Sequence, residues 1–164
     1  MTENFINYRI VTPDMFEDCV RVIRSAFITV ADDLKLTKEN AATNPAFIET
    51  DALNKMQEKN IDMFAVFEED VHIGFVAIEK ANDETYYMEK LAILPEYRHK
   101  GYGKKVMDFV VSYVEDRGGK KISIGIINEN VILKKWYSAY GFKETEIKAF
   151  NHLPFMVCLM EKSL

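Results

Sequence analysis

One stretch, residues 86–117, constrains the fold of this chain more than any other. It begins as an apolar run that ends at Pro95, continues through a basic turn containing Gly101 and Gly103, and leads into a long amphipathic segment. This order predicts a strand, a glycine-containing turn and a helix. Because a helix N-terminus presents free N–H groups and the positive end of its dipole, the turn is predicted to hold an anionic group such as a diphosphate.

The overall composition is that of one globular domain, expected to span residues 1–164. Of the 164 residues, 48% are hydrophobic and 29% are charged, which is ordinary for a globular chain long enough to bury a sizeable core. The formal net charge is −5. Nucleic acid is therefore disfavoured as a partner, since proteins that bind it are usually basic. A small anion suits the isolated positive turn better.

Cysteine usage and hydropathy predict a cytoplasmic protein that uses no metal and contacts no membrane. Cys19 and Cys158 lie in apolar-periodic segments and are interpreted as small buried hydrophobic residues. No set of residues has the spacing of metal ligands. The N-terminus is polar and acidic, which does not indicate a signal peptide, and no apolar run approaches the ~18 residues that span a bilayer.

Hydrophobic periodicity predicts an alternation of strands and helices with hairpins. Strands are predicted over residues 5–11, 62–67, 71–80, 85–93, 121–127, 142–150 and 154–162. Helices are predicted over residues 13–27, 46–59, 101–117 and 131–140, with residues 29–45 forming a loop or short-helix region. The helical crossover between strands 85–93 and 121–127 predicts that these two are parallel, whereas hairpin strands are antiparallel. The sheet is therefore mixed.

Two short motifs stand out. The first, Arg98-x-x-Gly101-x-Gly103, lets the backbone approach a ligand closely. It lacks the Gly-Lys-Ser/Thr of a Walker loop and the third glycine of a dinucleotide fingerprint. By itself it is also compatible with a tight turn that carries solvated lysines. In the second motif, Asn130 lies two helical turns before Tyr137. The alternatives are a plain helix N-cap for Asn130 and a core aromatic for Tyr137.

Together these motifs resemble the GNAT superfamily of acetyl-CoA-dependent N-acetyltransferases. The resemblance covers residues 85–145, where residues 91–103 are similar to the family's acyl-CoA-binding motif. Asn130 followed by Tyr137-x-x-x-Gly141-Phe142 is similar to its second signature. The resemblance implies an α/β fold of the α+β type, with a mixed, mostly antiparallel twisted sheet of about seven strands flanked by about four helices.

The resemblance also implies roles for individual residues. The backbone of residues 91–93 is expected to pair with the pantetheine arm of acetyl-CoA, and the turn to hold the pyrophosphate. Trp136 and the Lys134-Lys135 pair depart from the family pattern and make the acceptor side atypical. The residues implied to bind the cofactor are Leu91, Ala92, Ile93, Arg98, His99, Lys100, Gly101, Tyr102, Gly103, Lys104 and Asn130.

Acyl transfer to an amine requires a base for the amine and a proton for the departing thiolate. Tyr137, expected near the sulfur, is the candidate acid. Glu89 is the candidate base, because on a regular strand it points to the same face as Leu91 and Ile93. The alternative for Glu89 is a surface glutamate paired with Lys90. His152 is a second candidate base, and its alternative is a solvated loop histidine.

The sequence therefore predicts transfer of an acetyl group from acetyl-CoA to a primary amine of a small molecule, by direct attack in a ternary complex. The alternatives are acetylation of a protein or peptide amine and a non-catalytic acyl-CoA-binding module. The acceptor pocket is expected from residues 27–47 and 150–155. A homodimer is left open, with Phe150 and Phe155 as candidate interface residues.

Overall fold

The computed structural model describes residues 5–164, and within this range the chain forms seven strands and four α-helices. Residues 1–4, on which the expectation about a signal peptide rests, lie outside it. The predicted order of elements is confirmed. The elements are β1 (Ile6–Ile10), α1 (Phe16–Asp33), α2 (Thr50–Glu58), β2 (Asp62–Glu68), β3 (Val71–Lys80), β4 (Thr85–Ile93), α3 (Tyr102–Asp116), β5 (Lys121–Ile127), α4 (Val131–Tyr140), β6 (Lys143–Ala149) and β7 (Met156–Ser163).

The strands form one mixed sheet in the order β1-β2-β3-β4-β5-β7-β6. All neighbouring strands are antiparallel except β4 and β5, which are parallel as the crossover through α3 requires. The parallel pairing is short, because it joins only Thr85–Tyr87 to Lys121–Ser123. Beyond these residues β4 and β5 diverge, and the divergence is the structural feature that positions the candidate site.

Helices cover both faces of the sheet, but unequally. On one face α3 and α4 pack over the centre of the sheet, where alternate residues of β5 such as Ile122 and Ile124 are buried with Val106 and Val110 of α3. On the other face α1 and α2 cover β2, β3 and β4. On the α1/α2 face of β5 only its last residue, Ile127, packs in a described cluster that includes α1, so the rest of this face stays accessible.

Two helix boundaries differ from the sequence prediction. α1 continues to Asp33 rather than ending near residue 27, because Ala31 is buried against the segment that follows it. α2 begins at Thr50 rather than at residue 46. Before it, Pro45–Phe47 forms a separate 3-10 turn, and Ile48 is extended, with its carbonyl accepting a hydrogen bond from Arg24.

Both cysteines are free and buried, as interpreted from the sequence. None of the helices in residues 5–164 combines the length and apolar character needed to cross a membrane. The same residues contain no group of three or more His, Cys, Asp or Glu side chains arranged to hold a metal ion.

Candidate active site

A β-bulge interrupts β4 in the middle of the candidate site. Ala77 of β3 lies opposite Glu89, and Phe75 lies opposite Ala92, so β4 has one residue more than β3 between these pairs. Lys90, which follows Glu89, has a φ of 53°. An extra residue on one strand reverses the alternation of side chains beyond it. Odd-numbered side chains of β4 therefore face one side of the sheet before the bulge and the other side after it.

The bulge places Glu89 on a different face from the residues that follow it. Leu91 and Ile93 pack against the cluster under α3 and α4. Glu89 lies opposite Ala77, which belongs to the cluster under α1 and α2. The prediction that Glu89 points to the same face as Leu91 and Ile93 is therefore wrong, because it assumed a regular strand.

The half of β4 beyond the bulge has an unpaired edge toward β5. Its other edge is paired with β3, where Gly74 lies opposite Ile93 and Leu94 donates to the carbonyl of Ile73 at 2.8 Å. On the β5 side the pairing has already ended at Tyr87. Free backbone groups on a strand edge can pair with an added extended chain that carries amides.

Gly74 of β3 supports this geometry and was missed by the sequence analysis. A Cβ at this position would lie 2.5 Å from the carbonyl oxygen of Ala92 and 2.9 Å from the side chain of Ile93. Only glycine lets β3 approach the bulged part of β4 this closely. The only indication of this role in the sequence was a glycine within an apolar strand.

The turn before α3 has the backbone shape expected of an anion site. His99 and Gly101 have φ values of 62° and 82°, while Lys100 between them does not have a positive φ. Such alternation turns successive N–H groups toward one concavity. The first intrahelical bond runs from Lys105 to the carbonyl of Gly101 at 3.2 Å, so the earlier amides have no acceptor within the helix. His99, Lys100 and Gly101 are exposed.

Two side chains of the turn differ from the expectation that they face the cofactor. The guanidinium of Arg98 donates to the hydroxyl of Thr29 at 3.1 Å and to the carbonyl of Ala26, so it anchors the turn to α1. Tyr102 is buried and its hydroxyl donates to the carboxylate of Glu68. The groups of this segment that an anion could contact are therefore its backbone amides and its exposed lysines.

α4 places the second motif beside the diverging strands. The side chain of Asn130 accepts a hydrogen bond from the amide of Leu133 at 3.2 Å and so caps the helix, as its alternative interpretation expects. Tyr137 is buried in the same apolar cluster that Leu91 and Ile93 pack against. Its ring contacts Phe142 edge-on, with centroids 5.4 Å apart.

The hydroxyl of Tyr137 carries a proton and makes no hydrogen bond to the described chain. Burial raises the pKa of Tyr137 far above its usual range, so the phenol stays protonated. No hydrogen bond joins this hydroxyl to another residue of the described chain, and its oxygen is not sealed from solvent. A ligand that reaches the hydroxyl could accept a hydrogen bond from it.

A cleft of about 280 Å³ lies between α3 and α4, next to the turn. It is lined by Lys104, Trp136, Ala139 and Tyr140, and the two aromatic rings are stacked with centroids 6.5 Å apart. A Cβ on Gly103 would lie 3.1 Å from the Trp136 indole, so a larger residue would require the indole to shift. A flat aromatic wall beside a lysine suits a ring that carries phosphate.

A larger cavity of about 480 Å³ opens on the α1/α2 side of the sheet, between β4, β5 and β7. Glu89, Ser123, Lys121 and Glu161 contribute polar groups to its lining. Burial is the main cause that raises the pKa of Glu89 above its ordinary value. Lys90, whose Nζ lies 3.8 Å from the Glu89 carboxylate, acts in the opposite direction.

The turn around residues 150–155 contributes less to the site than expected. His152 is exposed, with its ring 6.0 Å from that of Phe150, and neither cleft is lined by it. Phe155 packs with Phe27 and Phe47 in a small cluster that joins α1 to the end of β5. Phe150 is 39% exposed, and its part in a homodimer stays a prediction.

Comparison with protein families identifies the family to which the chain belongs. The model of the acetyltransferase (GNAT) family matches residues 28–142, which is more than half of the chain. The chain belongs to the GNAT family. The matched range contains the bulged strand, the turn and both helices described above, as the resemblance of the two motifs predicted.

Individual GNAT proteins are similar to this chain at low sequence identity. A [ribosomal protein bS18]-alanine N-acetyltransferase from Haemophilus ducreyi is 28% identical over 87 residues, 53% of this chain. The match spans 59% of the length of that relative. The crystal structure of the ribosomal-protein-S18-alanine N-acetyltransferase from Escherichia coli has a TM-score of 0.75 at 13% identity, covering 97% of this chain and 94% of that one.

A third similar protein is a GNAT family acetyltransferase from Elizabethkingia anophelis, whose structure has acetyl-CoA bound. It has a TM-score of 0.67 at 16% identity and covers 99% of this chain and 100% of that one. The similarity of this chain to this structure and to the Escherichia coli structure is a similarity of fold. The mixed sheet of seven strands with four helices is thus the GNAT fold.

Proposed function

We propose that this chain is an N-acetyltransferase that moves an acetyl group from acetyl-CoA to a primary amine by direct attack in a ternary complex. One observation carries the proposal: the bulge of β4 presents Leu91 and Ile93 on one face and Glu89 on the other. The thioester would therefore lie on one side of β4 and the base for the amine on the other side. The two substrates would meet at this strand.

The cofactor would use the unpaired edge of β4 and the turn that follows. The amides of its pantetheine arm pair with the backbone of residues 91–93, and its diphosphate binds the amides of the turn between His99 and Lys104. The cleft at Trp136 would receive the adenosine end. The Elizabethkingia anophelis structure, which has acetyl-CoA bound on the same fold, supports this choice of cosubstrate.

In the transfer step, the amine nitrogen attacks the thioester carbonyl carbon. A C–N bond forms and the C–S bond breaks. The amine loses one proton, which Glu89 accepts directly or through water, and the departing thiolate gains one proton from Tyr137. Backbone amides of residues 91–93 would stabilise the oxyanion. Solvent then restores both side chains to their starting protonation states.

The acceptor we propose first is a small primary amine, because the cavity at Glu89 has the size of a small-molecule site, about 480 Å³. The second candidate is the α-amine of a peptide. It is supported by the two relatives named as alanine N-acetyltransferases of a ribosomal protein. It is also supported by the position of the cavity on the part of the sheet that no described helix covers.

The test is CoA release from acetyl-CoA by the purified protein in the presence of alkyl amines, diamines, amino acids and short peptides with free N-termini. The proposal expects release that depends on the amine, with an acetylated product detected by mass spectrometry. Comparing each peptide with its N-terminally blocked form separates the two acceptor classes. Tight acetyl-CoA binding without release for any amine would favour the non-catalytic module instead.

A further inference from the structure

We propose that Glu68 of β2 is a positioning residue for acetyl-CoA, which acts through the side chain of Tyr102. By accepting the hydrogen bond from the Tyr102 hydroxyl, Glu68 fixes the first turn of α3 against the sheet. The backbone amides proposed to bind the diphosphate lie at this end of the helix. The inference rests on the proposed function, because it takes this turn as the diphosphate site.

Tyr102 is the residue through which the interior of the protein holds the start of α3. It is the first residue of the helix, and of residues 101–105 it alone is buried. On the opposite side, a Cβ added to Gly101 would meet no atom within 4 Å, so the turn is open to solvent there. Because helix ends open more readily than helix centres, an anchor at this position controls whether the turn keeps its shape.

β2 contacts α3 a second time, near the end of the helix. There the hydroxyl of Tyr113 donates to the carboxylate of Asp62. Tyr102 and Tyr113 are eleven residues apart, about three helical turns, so they lie on one face of α3. Asp62 and Glu68 are six residues apart and lie on one face of β2. Two contacts of the same chemistry therefore join the same two elements, and only the Glu68 contact lies at the proposed anion site.

Two further contacts tether the same segment to other elements. Arg98, before the turn, donates to Thr29 of α1 at 3.1 Å. After the turn, the carbonyl of Lys105 accepts a hydrogen bond from Tyr8 of β1 at 3.1 Å. Glu68 fixes the helix start between these two points. Backbone amides bind an anion well only when they converge on one concavity, so each tether serves the shape of the site.

The charge of Glu68 and its positioning role have opposite effects on cofactor binding. A carboxylate near a diphosphate repels it, so removing the charge alone should strengthen binding. Removing the hydrogen bond should instead let the first turn open. The Kd then rises in inverse proportion to the fraction of molecules whose turn is closed. The direction of the change therefore separates the two effects.

The first test is the Kd for acetyl-CoA, measured by calorimetric titration. Glu68→Met removes the acceptor at a similar side-chain size and should raise the Kd about tenfold. Glu68→Gln keeps an oxygen acceptor and should retain most of the binding. Asp62→Leu removes the acceptor of Tyr113 and is the matched control, which should keep the wild-type Kd. An unchanged or lower Kd in Glu68→Met would overturn the proposal, as would an equal rise in Asp62→Leu.

Steady-state kinetics with an accepted amine gives a second readout. In Glu68→Met the KM for acetyl-CoA should rise, whereas kcat at saturating acetyl-CoA should change little, because the turn lies away from the reacting atoms. A lower kcat with an unchanged KM would contradict the positioning role.

Hydrogen exchange measured by NMR on the free protein needs no ligand. The amide of Lys105 closes the first turn by donating to the carbonyl of Gly101, so its exchange reports on opening of the turn. It should exchange about tenfold faster in Glu68→Met and at the wild-type rate in Asp62→Leu. A wild-type rate in Glu68→Met would refute the anchor. If exchange is faster but even the wild-type protein does not bind acetyl-CoA, the proposed function fails while the anchoring of the turn stands.

Discussion

At the scale of single residues, burial acts on the two proposed catalytic groups in the same direction but with different consequences. It raises the pKa of both Glu89 and Tyr137. For Tyr137, a raised pKa keeps the phenol protonated but also makes it a weaker acid. For Glu89, a raised pKa makes the ionised form a better base but delays its appearance as the pH increases.

Replacing Tyr137 tests the acid. In Tyr137→Phe the ring packing against Phe142 is kept and only the hydroxyl is lost, so we expect kcat to fall by about 10²–10⁴-fold with little change in the KM for acetyl-CoA. Tyr113→Phe, which removes a hydroxyl that donates to the carboxylate of Asp62 in β2, is the control. Steady-state kinetics of both variants tests this prediction. An unchanged kcat in Tyr137→Phe would exclude Tyr137 as the acid.

The pH dependence tests the base. Glu89 must be ionised to accept a proton, so kcat/KM should rise with pH through the raised pKa of Glu89, above the ordinary glutamate value of about 4.3. The raised pKa of Tyr137 predicts that no alkaline loss from this tyrosine occurs near the ordinary value of about 10. An acidic limb at the ordinary glutamate value would contradict the assignment.

At the scale of elements, the sequence predicted the strands and helices but not the bulge. Periodicity located β4 over residues 85–93 correctly, because that signal is local. The bulge at Lys90 depends on the register between β3 and β4, which a single segment does not contain. For the same reason the sequence assigned Arg98 to the phosphate site, whereas its hydrogen bonds to Ala26 and Thr29 depend on where α1 packs.

Gly74→Ala tests whether the close approach of β3 maintains the bulge. The added Cβ would meet the carbonyl of Ala92 at 2.5 Å, so the strands must separate, at a cost of about 1–3 kcal/mol in the free energy of unfolding. Gly125→Ala is the stability control, because its nearest neighbours would lie at 3.4 Å. Urea denaturation measures both. Equal stabilities for the two variants would show that the close approach of β3 to β4 does not depend on Gly74.

Arg98→Met tests the anchoring of the turn to α1. Loss of a partly buried guanidinium that makes two hydrogen bonds should lower the free energy of unfolding by about 1.5–3 kcal/mol. Arg21→Met removes an exposed pair with Asp18 and should cost about 1 kcal/mol or less. Denaturant unfolding measures the free energy of unfolding of both variants. A smaller loss for Arg98→Met than for Arg21→Met would argue against the anchor.

At the scale of the whole molecule, the sheet divides the proposed site into two sides. The proposed cofactor side consists of the edge of β4, the turn and the helices α3 and α4, and the motifs in the sequence point to most of it. The proposed acceptor side lies on the opposite face around Glu89, where the described helices leave most of β5 uncovered. No local motif encodes this side, because its residues come from β4, β5 and β7 and meet only in the folded sheet.

The division of the site is tested most directly by measuring two quantities on Glu89→Gln. Calorimetric titration gives the Kd for acetyl-CoA, and a single-turnover experiment with an accepted amine gives the rate of acetyl transfer. The two-sided site predicts an unchanged Kd and a transfer rate lowered by about 10²–10⁴-fold. If acetyl-CoA binding weakened in parallel with transfer, Glu89 would lie on the cofactor side and the account would be contradicted.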